Sequence, residues 1–214
     1  MSVKLVVWDF NGTIVDDVEL CYEIETKMLQ ERHMQTYTLE QYRDTFCFPV
    51  IEYYYKMGYT FEEESYEDIS VEFNQLYDEG FPSLKVMDDF IETIESFQEN
   101  GMENVIISAS RQDKLLEQCQ QLGISSYFTK ILGTDNLLGS SKVEIAKQFM
   151  KEHHVLPEEC MYIGDSLHDV ETANAMGIRN IHLVARGHQS KKVLCASFKD
   201  VQDALKEIVY DEKM

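Results

Sequence analysis

Between Val3 and Trp8 the chain is apolar except at Lys4, and at Asp9 that run ends in a carboxylate. A short β-branched and aromatic run bounded by turn residues reads as a buried strand. Asp9 then emerges at the strand's carboxyl end, the edge where open α/β sheets place their ligands. Asn11 and Gly12 predict a tight turn directly after it, since both tolerate positive φ and Gly lets backbone N–H groups approach a ligand closely. Carboxylate, turn and the Thr13 hydroxyl together suit a phosphate and a metal ion. Taken alone, the same string also serves as an ordinary strand-to-loop transition.

Three further segments add to it. Glu103 to Ser110 is a second apolar run ending in hydroxyls. Ser108 could hold a phosphoryl oxygen with its O–H, helped by the N–H of Ala109, or could be a plain strand end or helix cap. Gly139-Ser140-Ser141-Lys142 precedes an amphipathic stretch. A lysine in a first helical turn is poorly placed against the helix dipole, which makes Lys142 suggestive. Met161 to Asp169 is a third strand ending in acids. Asp165 and Asp169 are one helical turn apart and could share a metal shell. Arg111, three residues past Ser108, could face the same place or sit on the surface at a helix start.

The rhythm between these segments predicts the fold class. Strand-like runs at 103–109, 129–134, 159–164 and 179–184 alternate with helical patterns at 112–122, 143–151 and 169–176. Gly123, Gly133 and Gly177 fall where elements end. That is the signature of a parallel α/β sheet with helices on both faces. Residues 16–80 break the rhythm, reading as helices at 17–33, 38–45, 49–57 and 64–79, with Thr38 and Pro49 as starts. We therefore expect a core of residues 1–15 and 81–214 and a helical insertion of residues 16–80. The insertion holds nine of the twelve tyrosines, and seventeen acids against Lys27, Arg32, Arg43 and Lys56. The aromatics suit a bundle core, or a lid that excludes water. Arg43 is the insertion's candidate for sensing a second group on a substrate; the alternative is a surface ion pair.

Composition excludes several classes. A formal charge of −20 opposes a nucleic-acid or anionic-membrane partner. No apolar run reaches membrane-spanning length, and Met1 opens no charged-then-apolar leader. The five cysteines are scattered and have no C-x-x-C spacing, which argues against a disulfide framework or a zinc site and predicts a cytoplasmic protein. His153, His154, His168, His182 and His188 form no recognisable ligand set and read as structural or exposed.

As an ordered set, Asp9, Ser108, Lys142, Asp165 and Asp169 resemble the haloacid dehalogenase superfamily of phosphoryl-transfer enzymes over nearly the whole chain. The likeness is to its phosphoglycolate phosphatase and β-phosphoglucomutase branch. It implies a Rossmann-like core with a helical cap after the first strand, Asp9 as nucleophile, Ser108 as phosphate-binding hydroxyl and Lys142 as charge-balancing cation. It also implies Mg²⁺ held by Asp9, the Asn11 main-chain carbonyl and Asp165, with Asp169 near or behind the metal. Backbone N–H groups near Gly12 and Ala109 would help to bind the phosphoryl group of a small phosphorylated metabolite. Phosphatases of the family usually carry a second Asp two residues after the nucleophile; here it is Asn11, which cannot shuttle a proton at neutral pH. The implied function is a Mg²⁺-dependent phosphatase, slowed at this step. The alternative is a related binding or regulatory protein with little turnover. A response-regulator domain is disfavoured, because the two acids come last and a helical insertion splits the fold.

Overall fold

In a computed structural model, which describes residues 3–135, 138, 141–201 and 208–209, the chain builds one sheet with every neighbouring pair of strands parallel. The strands are β1 (Leu5–Trp8), β2 (Glu103–Arg111), β3 (Lys130–Thr134), β4 (Cys160–Gly164), β5 (Asn180–Leu183) and β6 (Ile208–Val209), in spatial order β3-β2-β1-β4-β5-β6. The chain works outward from β1 to β3, then crosses back to lay β4 on the other side of β1. The order therefore reverses between β1 and β4, and a crevice opens outside their carboxyl ends. Trp8 is level with Ile106 and with Ile163, so Asp9, Ser108 and Asp165 leave the sheet side by side.

Alternation along the strands fills two cores. Val6, Trp8, Ile106, Met161 and Ile163 point to one face, and Leu5, Val7, Val105, Ile107 and Tyr162 to the other. The second face is covered by α7 (Val143–Glu152) and α8 (Leu167–Ala175) through Ala146, Phe149, Val170 and Ala173. The first face carries α5 (Phe90–Glu99) and α6 (Gln112–Gln121), and its apolar cluster runs on without a break into the insertion. A last helix, α9, spans Lys191–Val201.

The insertion is all helical: α1 (Val18–Glu31), α2 (Leu39–Thr45), α3 (Val50–Lys56) and α4 (Tyr66–Gly80). Thr38 with Gln41, and Ser65 with Asp68, close capping boxes that satisfy the first N–H groups of α2 and α4. Pro49 caps α3. One segment, 185–192, ties the insertion to the sheet. The Arg43 guanidinium donates to the carbonyls of Gly187 (2.8 Å) and Ala185 (2.5 Å). Gln189 donates to the Phe46 carbonyl (2.8 Å), and Ser190 and Lys192 each bond Asp44 (2.5 Å). Among the described residues no helix is long and apolar enough to cross a membrane.

Candidate active site

Asp9 lies buried at the switch point, its N–H bonded to the Ile163 carbonyl (2.8 Å). One carboxylate oxygen receives the Lys142 ammonium and the other the Thr13 hydroxyl (3.4 Å). Lys142 is almost wholly buried and also bonds Asp169 (2.6 Å). Burial alone would strip its proton, but Asp169 and Asp9 outweigh burial and hold its pKa well above the ordinary value. For Asp9 the balance tips the other way. Burial raises its pKa, and Lys142 offsets only part of that.

Asp165 and Asp169 follow β4, and sequence spacing alone cannot tell their roles apart. The Asp165 carboxylate receives the His188 N–H (2.5 Å), and burial pushes its pKa upward. Asp169 has both oxygens occupied: one by Lys142 and the Tyr162 hydroxyl (3.2 Å), the other by the Asp165 and Ser166 N–H groups and the Ser166 hydroxyl. Asp169 thus positions Lys142 and the turn after β4, and as a metal ligand it has no free oxygen to give. Gly12 and Gly187 let the chain close around Asp165. A Cβ on Gly12, whose φ is +70°, would come 2.6 Å from its Oδ2, and one on Gly187 would come 2.1 Å from its Cβ.

Ligand atoms of Asp9, Asp165 and Asp169 lie within 4.8 Å of one another. With both Asp169 oxygens already taken, Asp9 and Asp165 remain as donors; burial raises the pKa of both, so the pair is short of positive charge and offers only oxygen. Such a set fits a hard divalent cation such as Mg²⁺. Asp17, Cys21 and His188 form a second cluster of the same size. Its groups are already spent on one another. Asp17 accepts from the Gly12 N–H (2.8 Å), the Asn11 amide (2.7 Å), the Tyr77 hydroxyl (2.7 Å) and His188 Nε2 (3.2 Å), while His188 Nδ1 meets the Tyr42 hydroxyl (2.8 Å). Burial disfavours charge on both, yet each stabilises the other's. The Asp17 carboxyl sits below the usual range and the His188 imidazole above it.

Of the residues expected from sequence, Asp9, Asn11, Ser108, Ala109, Arg111, Lys142 and Asp165 line one cavity of ≈ 170 Å³ between sheet and insertion. Three further expectations, for Arg43, Thr13 and Gly12, are corrected. The Arg43 guanidinium is spent on the two carbonyls of the 185–187 loop and does not reach the cavity. Thr13 tethers Asp9, and the Gly12 N–H is given to Asp17, so neither presents a free donor to a phosphate. Arg111 reaches the cavity wall, but its guanidinium is paired with Asp113 (2.5 Å). Gly139 and Ser140 lie outside the described residues. Sequence reasoning missed His188, Ser110 and Tyr77. His188 stands in a turn far from any motif, and its one signal was an imidazole in a Gly-His-Gln-Ser string. Ser110 accounts for one end of the Asn11 amide, donating to its Oδ1 (2.8 Å) and using its own N–H on Ser108 Oγ (3.0 Å).

A reversed strand order with an acid at the end of β1, a lysine bound to it and a second acid after β4 defines a class of hydrolase fold. Residues 6–183 match the family model described as haloacid dehalogenase-like hydrolase, and the chain belongs to that family. It is similar to a phosphoglycolate phosphatase of Vibrio parahaemolyticus, 24% identical over 97% of this chain and 95% of that protein. Among solved structures, a haloacid dehalogenase-like family hydrolase from Streptococcus pneumoniae superposes with a TM-score of 0.78 at 18% identity, covering 98% of this chain and 94% of the other. A predicted phosphatase from Clostridium acetobutylicum does so at 0.77 and 20% identity, covering 99% and 95%. At such identities the likeness of structures establishes the fold alone.

Proposed function

We propose that the protein is a cytoplasmic, Mg²⁺-dependent phosphatase that hydrolyses a small phosphomonoester through an aspartyl-phosphate on Asp9. The observation that carries this reading is the buried Asp9 carboxylate, held by Lys142 and facing a cavity that Ser108 also lines. In-line attack on phosphorus needs an ionised oxygen fixed in direction, and the pairing with Lys142 supplies both. Asp9, the Asn11 carbonyl and Asp165 would hold Mg²⁺, which when bound offsets charge on the phosphoryl oxygens. Ser108 and Lys142 supply fixed donors for the same charge. The helices of residues 16–80 close the cavity from the other side and act as its cap, excluding water while the leaving group departs. The names of the sequence relatives support the reaction class. The five unpaired cysteines support a reducing compartment.

Asn11 limits the second half of the reaction. Its amide nitrogen donates to Asp17 and Tyr77 and its oxygen accepts from Ser110, so the side chain is fixed and carries no exchangeable acid. This observation favours a second reading, in which the site binds a phosphorylated ligand and turns it over little or not at all. The deciding measurement is release of phosphate from an aryl phosphate with and without Mg²⁺, beside trapping with beryllium fluoride. Wild type is expected to react and be trapped, and Asp9→Asn to do neither. Full activity in Asp9→Asn would overturn the mechanism, and trapping without turnover would establish the second reading.

A further inference from the structure

The cavity does not end at the catalytic groups. Asp17, Cys21 and Glu25 lie at intervals of four on α1 and its N-cap, hence on one face, and all three line the cavity. Eight residues of helix advance about 12 Å, so the cavity follows α1 for two turns beyond Asp17. Its walls there are aromatic, with Tyr42, Phe46, Tyr53, Tyr54, Phe73 and Tyr77. A cavity close to 150 Å³ with apolar walls accommodates a benzene ring; the ≈ 170 Å³ here includes the catalytic end, so the extension takes one ring at most.

Four buried side-chain atoms among the described residues have no hydrogen-bond partner, on Glu25, Tyr53, Tyr59 and Gln118, and the first two belong to residues of this extension. Glu25 is 4% exposed; the Tyr54 hydroxyl bonds one of its oxygens, and Oε2 has no hydrogen-bond partner. The Tyr53 hydroxyl, on a side chain 1% exposed, has none either. Buried polar groups of native proteins are almost always paired, and an exception on a cavity wall is where a ligand's polar end belongs. The charges lining the cavity are lopsided. Lys142, Arg111, Lys114 and His188 are each bound to carboxylates: Asp9 and Asp169, Asp113, Asp78, and Asp17 respectively. No cation lining the described cavity is left for an acid group on a leaving group, and the far end offers a carboxyl instead.

We propose that the aromatic extension is a leaving-group subsite ending at Glu25 and Tyr53. It selects phosphomonoesters of ring-sized alcohols that carry a hydrogen-bond donor, an ammonium or hydroxyl, at the far end, and it rejects phospho-acids. This rests on the phosphatase reading above and narrows its substrate class away from the one that the relatives' names state. Burial pushes the Glu25 carboxyl up to about 8, and an ammonium bound beside it draws that value down again.

Four benzyl phosphates bearing 4-aminomethyl, 4-hydroxymethyl, 4-methyl and 4-carboxyl groups, together with phosphoglycolate, test this on the full chain. Turnover is read as kcat/KM with Mg²⁺, and affinity is read separately by calorimetry with the matching benzylphosphonates. The aminomethyl and hydroxymethyl compounds are expected to exceed the methyl compound by about 10-fold or more, and the carboxyl compound to fall below it by a similar factor. Glu25→Gln should bring the aminomethyl and methyl compounds within about 3-fold of each other. Tyr53→Phe should weaken the hydroxymethyl preference while keeping its shape. A carboxyl compound or phosphoglycolate used best would overturn the subsite and leave the phosphatase standing. The expected order in phosphonate binding without any turnover would uphold the subsite and overturn the phosphatase. An order unchanged by both substitutions would refute the assignment of these residues.

Discussion

Asn11→Asp replaces a donor with an acceptor at 2.7 Å from the Asp17 carboxylate. Two buried carboxylates that close cannot both ionise, so the variant must keep one proton between them. Its folded state then holds a proton that the unfolded chain gives up near pH 4. By linkage, the variant matches wild type best at low pH and loses stability relative to it as pH rises toward the raised pKa. Exchanging hydrogen bonds to a charged group for repulsion sets the size of the loss, on the order of 1.5–3 kcal/mol at neutral pH. Rate should move the other way. An acid able to carry the proton of the attacking water is worth ~10²–10⁴-fold, about 3–5 kcal/mol of barrier. The double variant Asn11→Asp/Asp17→Asn isolates the two effects. Asp17 Oδ1 faces Gly12 and His188 while Oδ2 faces Asn11 and Tyr77, so an asparagine there can keep the first pair and donate to the carboxylate introduced at position 11. It should recover most of the stability and keep the faster rate. Stopped-flow release of an aryl alcohol, on protein checked by intact mass for deamidation of the Asn11-Gly12 bond, reads the rate; melting curves between pH 5 and 8 read the stability. Wild type should give a burst and then a slow phase. Linear wild-type traces with no acceleration in either variant would refute the assignment of the slow step to residue 11.

Three further outcomes follow from other parts of the molecule. Asp165→Ala should weaken Mg²⁺ affinity in calorimetry by about 10-fold or more, whereas Ser108→Ala, which removes a phosphate contact, should leave it within about 3-fold. Arg43→Ala should lower kcat/KM alike for aryl phosphate and any larger substrate, because it frees the carbonyls of Ala185 and Gly187 and touches no ligand; a loss confined to one substrate would restore a sensing role. Glu25→Gln should become increasingly more stable than wild type between about pH 5 and 8. The folded carboxyl keeps its proton up to about 8 while the unfolded one ionises near its ordinary 4.5, so wild type loses roughly 1.4 kcal/mol per pH unit across that window. Parallel melting curves for the two proteins would count against the buried, protonated state.

Five of the six strands were legible because both faces of the sheet are covered; β6, two residues long, was not. Stretches such as 105–107 and 160–163 read as unbroken apolar runs, and the acids or hydroxyls that follow them mark the crevice. The helix starts at Thr38 and Pro49 were legible because the signals that open a helix act within a few residues. Arg43 was misread because its partners, residues 185 and 187, lie far along the chain, and the same distance hid the contacts of Asp17 with His188 and of Asn11 with Tyr77 and Ser110. Thr13 and Gly12 are different: their donors are taken by Asp9 and Asp17, within five residues of them. No local pattern encodes which of two acids, Asp165 or Asp169, will have its oxygens taken by N–H groups. That depends on the turn that Ser166 makes after β4.

The segment 185–192 belongs at once to the insertion and to the acid after β4. Its Ala185 and Gly187 carbonyls hold Arg43, its His188 side chain reaches Tyr42 and Asp17, and the His188 N–H rests on Asp165. Moving α2 away from the sheet must pull on the same short stretch of backbone that orients Asp165. On the proposed reading, in which the insertion caps the cavity and the acids hold an ion, gating and occupancy are two ends of one thermodynamic cycle. Whatever an ion bound at Asp165 contributes to keeping the insertion closed, closure returns to the ion in affinity by the same factor.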